Sequence, residues 1–160
     1  MSDIFISYKR EDENLVRALV DKLSNLGWSI WWDKEIPAGR DYDSIIEEEL
    51  ESCKCAIVLW SKNSILSRNV KAEANEALNA GKYIPVLIGD TRPPLLFRYI
   101  QGIVWNEMIE LEENNFNQLI KHIKRLLGEP PGAVSSKQET EIKEKKKLKT
   151  ITSKPRAEKK

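Results

Sequence analysis

Two short segments of the chain, residues 56–60 and 84–87, are apolar at every position. Short runs without polar alternation are typical of strands that are covered on both faces, as in a parallel sheet. Three further apolar segments predict strands at residues 4–7, 29–32 and 103–104. Because these five segments alternate with helical patterns, the chain predicts right-handed βαβ units and one parallel sheet with helices on both faces.

Four segments have the period of amphipathic helices. The first has apolar residues at i, i+3, i+4, i+7 and i+10 from Val16 and ends at Gly27. The other three are predicted over residues 43–52, 67–80 and 116–127. Ser67 is a suitable N-cap for the third helix. The chain is therefore predicted to be an α/β protein, a flavodoxin-like three-layer domain with a five-stranded parallel sheet.

Residues 130–160 differ sharply in composition from the rest of the chain. They contain ten Lys or Arg against four Asp or Glu, whereas the preceding part has 16 basic and 21 acidic residues. Because apolar residues nearly vanish there, we predict one domain at residues 1–129 and a disordered basic tail at residues 130–160. The tail is either a solvated linker or an arm that binds anions or membranes. The mildly acidic domain argues against a nucleic acid as its ligand.

The longest apolar run, residues 55–60, is far shorter than the roughly 20 residues that a membrane-spanning helix needs. With no N-terminal targeting pattern either, we expect a cytoplasmic protein without a membrane span. Cys53, Cys55 and the distant His122 provide too few ligands for zinc, so we expect two buried, reduced thiols and no metal site. His122 lies off the apolar stripe of the last helix and is predicted to be solvated.

Three loops follow predicted strands and should share the sheet edge at which open α/β proteins bind ligands. The first loop, residues 7–10 (Ser-Tyr-Lys-Arg), has a hydroxyl, an aromatic ring and two cations, which suit a ligand with phosphates and a ring. The second, residues 33–42, is long and rich in charge, as functional loops often are. The third comprises residues 61–64 and leads to the third helix.

The third helix contains a carboxylate at an unusual place. Helical period puts Glu73 on the shoulder of the buried face, whereas Glu76 should be fully solvated. A carboxylate in the first two turns after a strand end can reach into a cleft. It can also simply close a groove or pair with a nearby cation, and periodicity leaves both interpretations open.

Several blocks of the chain, taken together, resemble the TIR (Toll/interleukin-1 receptor) domain, particularly its prokaryotic enzymatic members, over about residues 3–128. The blocks are residues 3–8 (DIFISY), 27–33 (GWSIWWD), 36–39 (IPAG), 58–61 (VLWS), 67–74 (SRNVKAEA) and 84–87 (IPVL). One block alone is weakly specific, and their order and spacing carry the resemblance.

The resemblance implies an NAD+ hydrolase that releases nicotinamide and linear or cyclic ADP-ribose, is activated by TIR–TIR assembly and acts in immune or anti-phage signalling. NAD+ is the substrate, and no cofactor is implied. Glu73 is implied to be catalytic. The residues implied to bind NAD+ are Ser7, Tyr8, Lys9, Arg10, Pro37, Ala38, Gly39, Tyr42, Ser61 and Asn69. Residues 37–42, in the BB loop, are implied to cover the substrate and contact another TIR domain.

This reaction suits a single carboxylate. Ordinary glycosidases use two carboxyl groups, one of which protonates the leaving oxygen. The nicotinamide of NAD+ is already a pyridinium and leaves as a neutral molecule, so no general acid is needed. Glu73 suits the stabilisation of an oxocarbenium-like ribose, and Lys9 and Arg10 suit the pyrophosphate.

One position departs from the enzymatic members. They commonly have Trp one turn before the glutamate, where this chain has Asn69. Trp60, at a predicted strand end, is a candidate to supply aromatic surface instead. The alternative function is a non-catalytic TIR module that recruits other TIR domains through the BB loop.

Two other protein classes are excluded by residues that the chain lacks. A phosphoacceptor receiver domain needs an acidic pair after strand one, an Asp after strand three and a Lys after strand four. The chain has Ser-Tyr, Trp-Ser and Leu-Ile at those places. A P-loop NTPase is excluded because no G-x-x-x-x-G-K-[ST] sequence occurs.

Overall fold

A computed structural model describes residues 2–32, 39, 41–106 and 111–131, without the side chain of Tyr42. Its sheet has five strands: β1 (Ile4–Ser7), β2 (Ile30–Trp31), β3 (Cys55–Trp60), β4 (Tyr83–Ile88) and β5 (Ile103–Trp105). All neighbouring pairs are parallel, in the order β2-β1-β3-β4-β5. This is the flavodoxin-like order, so the predicted α/β fold is confirmed.

The described helices match the predicted ones to within a few residues. They are α1 (Glu13–Ser24), α2 (Tyr42–Ser52), α3 (Arg68–Asn79) and α4 (Glu113–Leu127). Two short 3-10 helices, Arg10–Asp12 and Leu95–Phe97, lie after β1 and between β4 and β5. None of the helices in the described ranges combines the length and the apolar character that crossing a bilayer requires.

Each face of the sheet packs against its own pair of helices. Successive strand residues point to opposite faces, so Ile4 and Ile6 belong to a core shared with α1 and α4. Phe5 lies on the other face, in a core formed with α2 and α3. The predicted three layers are therefore present, and the polar edge of the sheet lies where the strands end.

Side-chain hydrogen bonds define the ends of the two helices on the Phe5 face. Asp41 caps α2, because its carboxylate accepts hydrogen bonds from the backbone N–H and the hydroxyl of Ser44. Ser67 caps α3 as predicted, accepting from the backbone N–H of Val70 at 3.2 Å. At the other end of α2, the ammonium of Lys82 donates to the backbone carbonyls of Leu50, Glu51 and Cys53 within 3.1 Å. These bonds satisfy carbonyls that the end of a helix leaves without partners.

The prediction that Trp60 supplies aromatic surface to a pocket is wrong. Its side chain is 0% exposed, and its indole N–H donates to the hydroxyl of Tyr83 at 2.7 Å. Its ring packs against Phe97 from the connection between β4 and β5. Trp60 is therefore a core residue with a satisfied polar atom.

The two cysteines and the histidine can also be compared with their predictions. Cys53 and Cys55 are buried free thiols, as predicted, and burial raises the pKa of each. His122 is half-buried rather than fully solvated. Burial, followed by the charge of Arg125, lowers the pKa of His122.

Candidate functional site

The polar edge of the sheet contains a topological switch point between β1 and β3. The chain leaves β1 for β2 on one side, whereas it leaves β3 for β4 on the other side. Open α/β sheets bind ligands in the crevice that forms at such a point. Ser7 is the last residue of β1, and Ser61 directly follows β3, so two of the predicted site residues lie at this edge.

Ser7 and Glu73 form a buried hydrogen bond across this edge. The hydroxyl of Ser7 donates to Glu73 Oε1 at 2.6 Å, within the usual range for a hydroxyl donor. Ser7 is 0% exposed and Glu73 is 7% exposed. The bond therefore joins the end of β1 to the second turn of α3 across 66 positions of the sequence.

The position of Glu73 follows from the packing of α3. Val70, Ala74 and Ala77 are buried against the sheet and determine which side of the helix faces inward. Glu73 lies at the margin of that face, as predicted, and Glu76 is exposed, as predicted. Glu73 is more deeply buried than a shoulder position requires, because Ser7 provides a polar partner behind it.

Glu73 lines a cavity of about 180 Å³ between α2 and α3. Each helix contributes residues spaced i, i+3, i+4 and i+7, which is one helical face. The lining residues are Asp43, Ile46, Glu47 and Leu50 from α2 and Asn69, Ala72, Glu73 and Glu76 from α3. Asn69 and Glu73 therefore lie on the same face of α3, and the α2 face lies opposite them.

The cavity combines negative charge with apolar surface. Four of its eight lining residues carry carboxylates, and none of the described lining residues is basic. Despite these carboxylates, the described residues contain no group of three or more His, Cys, Asp or Glu suited to a metal ion. A groove with acidic walls and aliphatic side chains suits a flat organic cation.

The structure places the other residues of the first loop outside this cavity. Lys9 and Arg10 follow β1 and are exposed. Tyr8 is only 6% exposed, its ring lies in the core with α1 and α4, and its hydroxyl donates to the carbonyl of Trp32 at 2.9 Å. The structure therefore brings Ser7 to Glu73 and turns the neighbouring Tyr8 to the opposite face.

Ser61 belongs to a different part of the edge. Its hydroxyl donates to the buried carboxylate of Asp12, which also accepts from the side-chain amide of Asn63 at 3.0 Å. Ser61 lines a second cavity, of about 460 Å³, that also includes Lys62, Asp90 and Asn106. The two cavities share no lining residue.

Most of the predicted BB-loop residues lie outside the described residues. This holds for Pro37, Ala38 and the side chain of Tyr42. Gly39 is exposed and has φ of +84°, a left-handed conformation that favours glycine. Tyr42 is the first residue of α2, so the loop leads directly into the helix that forms one wall of the cavity.

Sequence reasoning missed the α2 wall and the buried Asp12. The signal for the α2 wall is present in the sequence, since Asp43, Ile46, Glu47 and Leu50 share one helical face. No local signal marks Asp12, because its partners Ser61 and Asn63 are about fifty positions away. Only the packing of the two loops brings those groups together.

An open parallel sheet with a switch point, and a buried glutamate lining a cavity beside it, define a flavodoxin-like α/β domain with a candidate ligand site. A family model described as the TIR domain matches residues 4–120. The chain belongs to the TIR domain family.

Individual relatives agree with this family. The chain is 32% identical over 83 residues to a protein named NAD(+) hydrolase TcpC, from Escherichia coli O6:H1 strain CFT073. That match covers 51% of this chain and 27% of the relative, so the chain spans about a quarter of the relative's length.

Solved structures show the same fold. The TIR domain of the Toll-related receptor TRR-2 from Hydra magnipapillata has a TM-score of 0.68 at 19% identity, covering 78% of this chain and 99% of that one. A TIR-STING receptor from C. gigas, solved with 2',3'-cGAMP, has a TM-score of 0.63 at 21% identity, covering 81% and 40%.

Proposed function

We propose that this TIR domain is an NAD+ hydrolase that cleaves the bond between nicotinamide and ribose. The observation that carries the proposal is the buried hydrogen bond from Ser7 to Glu73, a carboxylate that lines a cavity at the sheet edge. A buried, hydrogen-bonded carboxylate beside a cleft is the arrangement expected of a catalytic group. The relative named NAD(+) hydrolase supports the same reaction.

The proposed reaction begins with the breaking of the bond between ribose C1′ and the nicotinamide nitrogen. The electron pair of this bond passes to the pyridinium, which leaves as neutral nicotinamide, and the ribose becomes an oxocarbenium-like cation. The carboxylate of Glu73 stabilises that cation electrostatically. Water then adds to C1′ and releases a proton to give linear ADP-ribose, or a nitrogen of the adenine adds to give the cyclic product.

The carboxylates of the cavity act at different stages of this movement of positive charge. In NAD+ the charge is on the nicotinamide ring, which the walls carrying Asp43, Glu47 and Glu76 attract. In the transition state the charge moves to the ribose, where Glu73 would act. An interaction that strengthens as the reaction proceeds accelerates it, whereas attraction to the bound ring alone only aids binding.

Lys9, Arg10 and the BB loop have supporting roles in this proposal. Lys9 and Arg10, exposed after β1, would bind the pyrophosphate, for which guanidinium and ammonium groups are suited. Residues 37–42 would cover the substrate and contact a second TIR domain. The proposed setting is immune or anti-phage signalling in the cytoplasm, with activity dependent on TIR–TIR assembly.

The test is the release of nicotinamide from NAD+ by purified, artificially clustered protein. Glu73→Gln removes the charge but retains an oxygen that can accept the hydrogen bond from Ser7. We expect it to lower the rate by about 100-fold or more, the usual effect of losing an electrostatic contact to the transition state. The matched control is Glu113→Gln, at an exposed position at the start of α4, which should leave the rate unchanged.

Two results would contradict the proposal. The first is that clustered wild-type protein releases no more nicotinamide than the Glu73→Gln variant. The second is that Glu113→Gln lowers the rate as much as Glu73→Gln does. The first result would favour the alternative, a non-catalytic module that recruits other TIR domains.

A further inference from the structure

Ser7 has a different place in the structure from the one that its loop predicts. The loop predicts that Ser7 contacts the ligand together with its neighbours, but the side chain of Ser7 is 0% exposed. Its hydroxyl reaches Glu73, which lines the cavity, and Ser7 itself is not among the lining residues. Ser7 therefore lies behind the carboxylate as seen from the cavity.

We infer that Ser7 is a positioning residue, whose hydroxyl holds the Glu73 carboxylate in its working orientation without touching the substrate. The inference rests on the proposed function, because it concerns the same site. It replaces the expectation that Ser7 binds NAD+ directly.

The backbone of Ser7 is held by the neighbouring strand β3. β1 lies between β2 and β3, and Ser7 is paired in register with Val58 of β3. The alternation of side chains along β1 puts Ser7 on the same face as Phe5, which is the face covered by α3. A hydroxyl on a paired central strand is a rigid reference point for another group.

The side chain of Glu73, by contrast, needs such a reference. Val70, Ala74 and Ala77 anchor α3 and so fix the Cα of Glu73. Three rotatable bonds still separate that Cα from the carboxylate, so the packing of the helix alone does not select one rotamer. The 2.6 Å bond selects one of them before substrate arrives. Misplacing a catalytic group by about 1 Å can lower a rate about 100-fold, so this selection matters for catalysis.

Burial gives the bond a second effect. A carboxylate that is 7% exposed is largely withdrawn from water and needs donors to remain favourable as an anion. The Ser7 hydroxyl is such a donor, and because it is uncharged it adds no positive charge beside the carboxylate.

The test compares Ser7→Thr with Ser7→Val. Both replacements are β-branched, suit a strand and have nearly equal volume, so they differ chiefly in the hydroxyl. In clustered protein we expect Ser7→Val to lower kcat for NAD+ at least about tenfold while KM changes less than about threefold. Ser7→Thr should keep kcat within about threefold of the wild-type value. Equal kcat for the two variants would overturn the inference, as would a loss confined to KM.

A measurement of stability covers the case in which the variants fold poorly or the wild-type protein is inactive. Urea denaturation compares the stability of Ser7→Thr with that of Ser7→Val, first in protein with Glu73 intact. The same comparison is then made in protein that also carries Glu73→Ala. With Glu73 intact, the valine variant should have an equilibrium constant for unfolding about tenfold larger than the threonine variant. Without the carboxylate, that difference should disappear or reverse, because the buried threonine hydroxyl has then lost its acceptor.

The two proposals can therefore fail separately. If clustered wild-type protein releases no nicotinamide, the proposed function fails, and the stability comparison alone decides whether Ser7 holds Glu73. If the difference in stability between the threonine and valine variants is the same with and without Glu73, the positioning role is overturned, even in an active enzyme.

If neither Ser7→Thr nor Ser7→Val folds, Ser7→Cys takes their place. Cysteine is nearly isosteric with serine but is a weak donor, so this variant should lower kcat at least about threefold. Wild-type kcat for Ser7→Cys would overturn the inference.

Discussion

The carboxylate of Asp12 accepts a hydrogen bond from the hydroxyl of Ser61, 49 positions further along the chain. Ser61 is in turn the acceptor for the backbone N–H groups of Asn63 and Ser64, both at 3.1 Å. This network connects the 3-10 helix after β1 to the loop after β3. The segment that carries Lys9 and Arg10 is thereby tied to the neighbouring strand end.

Asp12→Ala should destabilise the domain by about 2 to 4 kcal/mol, because it leaves the buried hydroxyl of Ser61 without its acceptor and removes the hydrogen bond from Asn63. Urea denaturation at neutral pH measures the loss. The control is Asp21→Ala, at an exposed position of α1, which should change the free energy of unfolding by less than about 0.5 kcal/mol. Equal losses for the two variants would show that the network contributes nothing specific.

Lys82→Met should lower the free energy of unfolding by about 1 to 3 kcal/mol. The ammonium of Lys82 donates to three carbonyls at the end of α2, and methionine retains the aliphatic stem but none of the donors. Lys54→Met, at an exposed position, is the matched control. Chemical denaturation of both variants tests the prediction, and a loss no larger than that of the control would refute it.

Tyr83 should make the domain less stable at alkaline pH. Burial is the main cause that raises the pKa of Tyr83 from 10.0 to about 12. The unfolded chain therefore loses this proton at lower pH than the folded protein. The associated stability is fully present below pH 10 and is lost as pH rises toward about 12.

Tyr83→Phe tests this pH dependence. At pH 8 it should be less stable than wild type by about 1 to 3 kcal/mol, since the indole N–H of Trp60 loses its acceptor. The difference should shrink as pH rises from 10 to 12, as followed by urea midpoints. Tyr99→Phe, at a residue that is 71% exposed, is the control and should leave the stability at pH 8 unchanged. A constant difference between Tyr83→Phe and wild type would contradict the prediction.

Asn69→Trp should increase the release of nicotinamide by about two- to tenfold, because an indole on the cavity wall could pack against a flat ring. Asn69 is exposed and one turn before Glu73, so the larger side chain has room. The control is Asn79→Trp, at the exposed end of the same helix and outside the cavity lining. An unchanged or lower rate for Asn69→Trp alone would show that the pocket does not use an aromatic wall.

The alternation of side chains along β1 shows how far the sequence could predict the site. Residues two apart share a face, so Ser7 goes with Phe5 and Tyr8 goes with Ile6. Pattern alone could not say which face α3 would cover. The sequence prediction therefore grouped Ser7 and Tyr8 in one ligand-binding loop, whereas the structure turns them to opposite sides of the sheet.

Trp60 illustrates the same limit for burial. Its place at a strand end suggested access to a pocket, and the strand itself was predicted to within one residue. Its exposure depends on Tyr83 and Phe97, which cover it from β4 and from the following connection. Neither partner is close in the sequence, so no local pattern could reveal that the indole is enclosed.

The sequence by itself determined the α/β class, the strands and helices, and the position of Glu73 at the margin of the buried face of α3. These features follow from periodicity, capping residues and apolar runs, which act over a few residues. Only the tertiary structure decided that Ser7 contacts Glu73, that α2 faces α3 across a cavity, and that Ser61 lies in another one. Those relationships depend on crossover direction and on packing between separate elements, with 49 positions between Asp12 and Ser61 and 66 between Ser7 and Glu73, which local pattern does not encode.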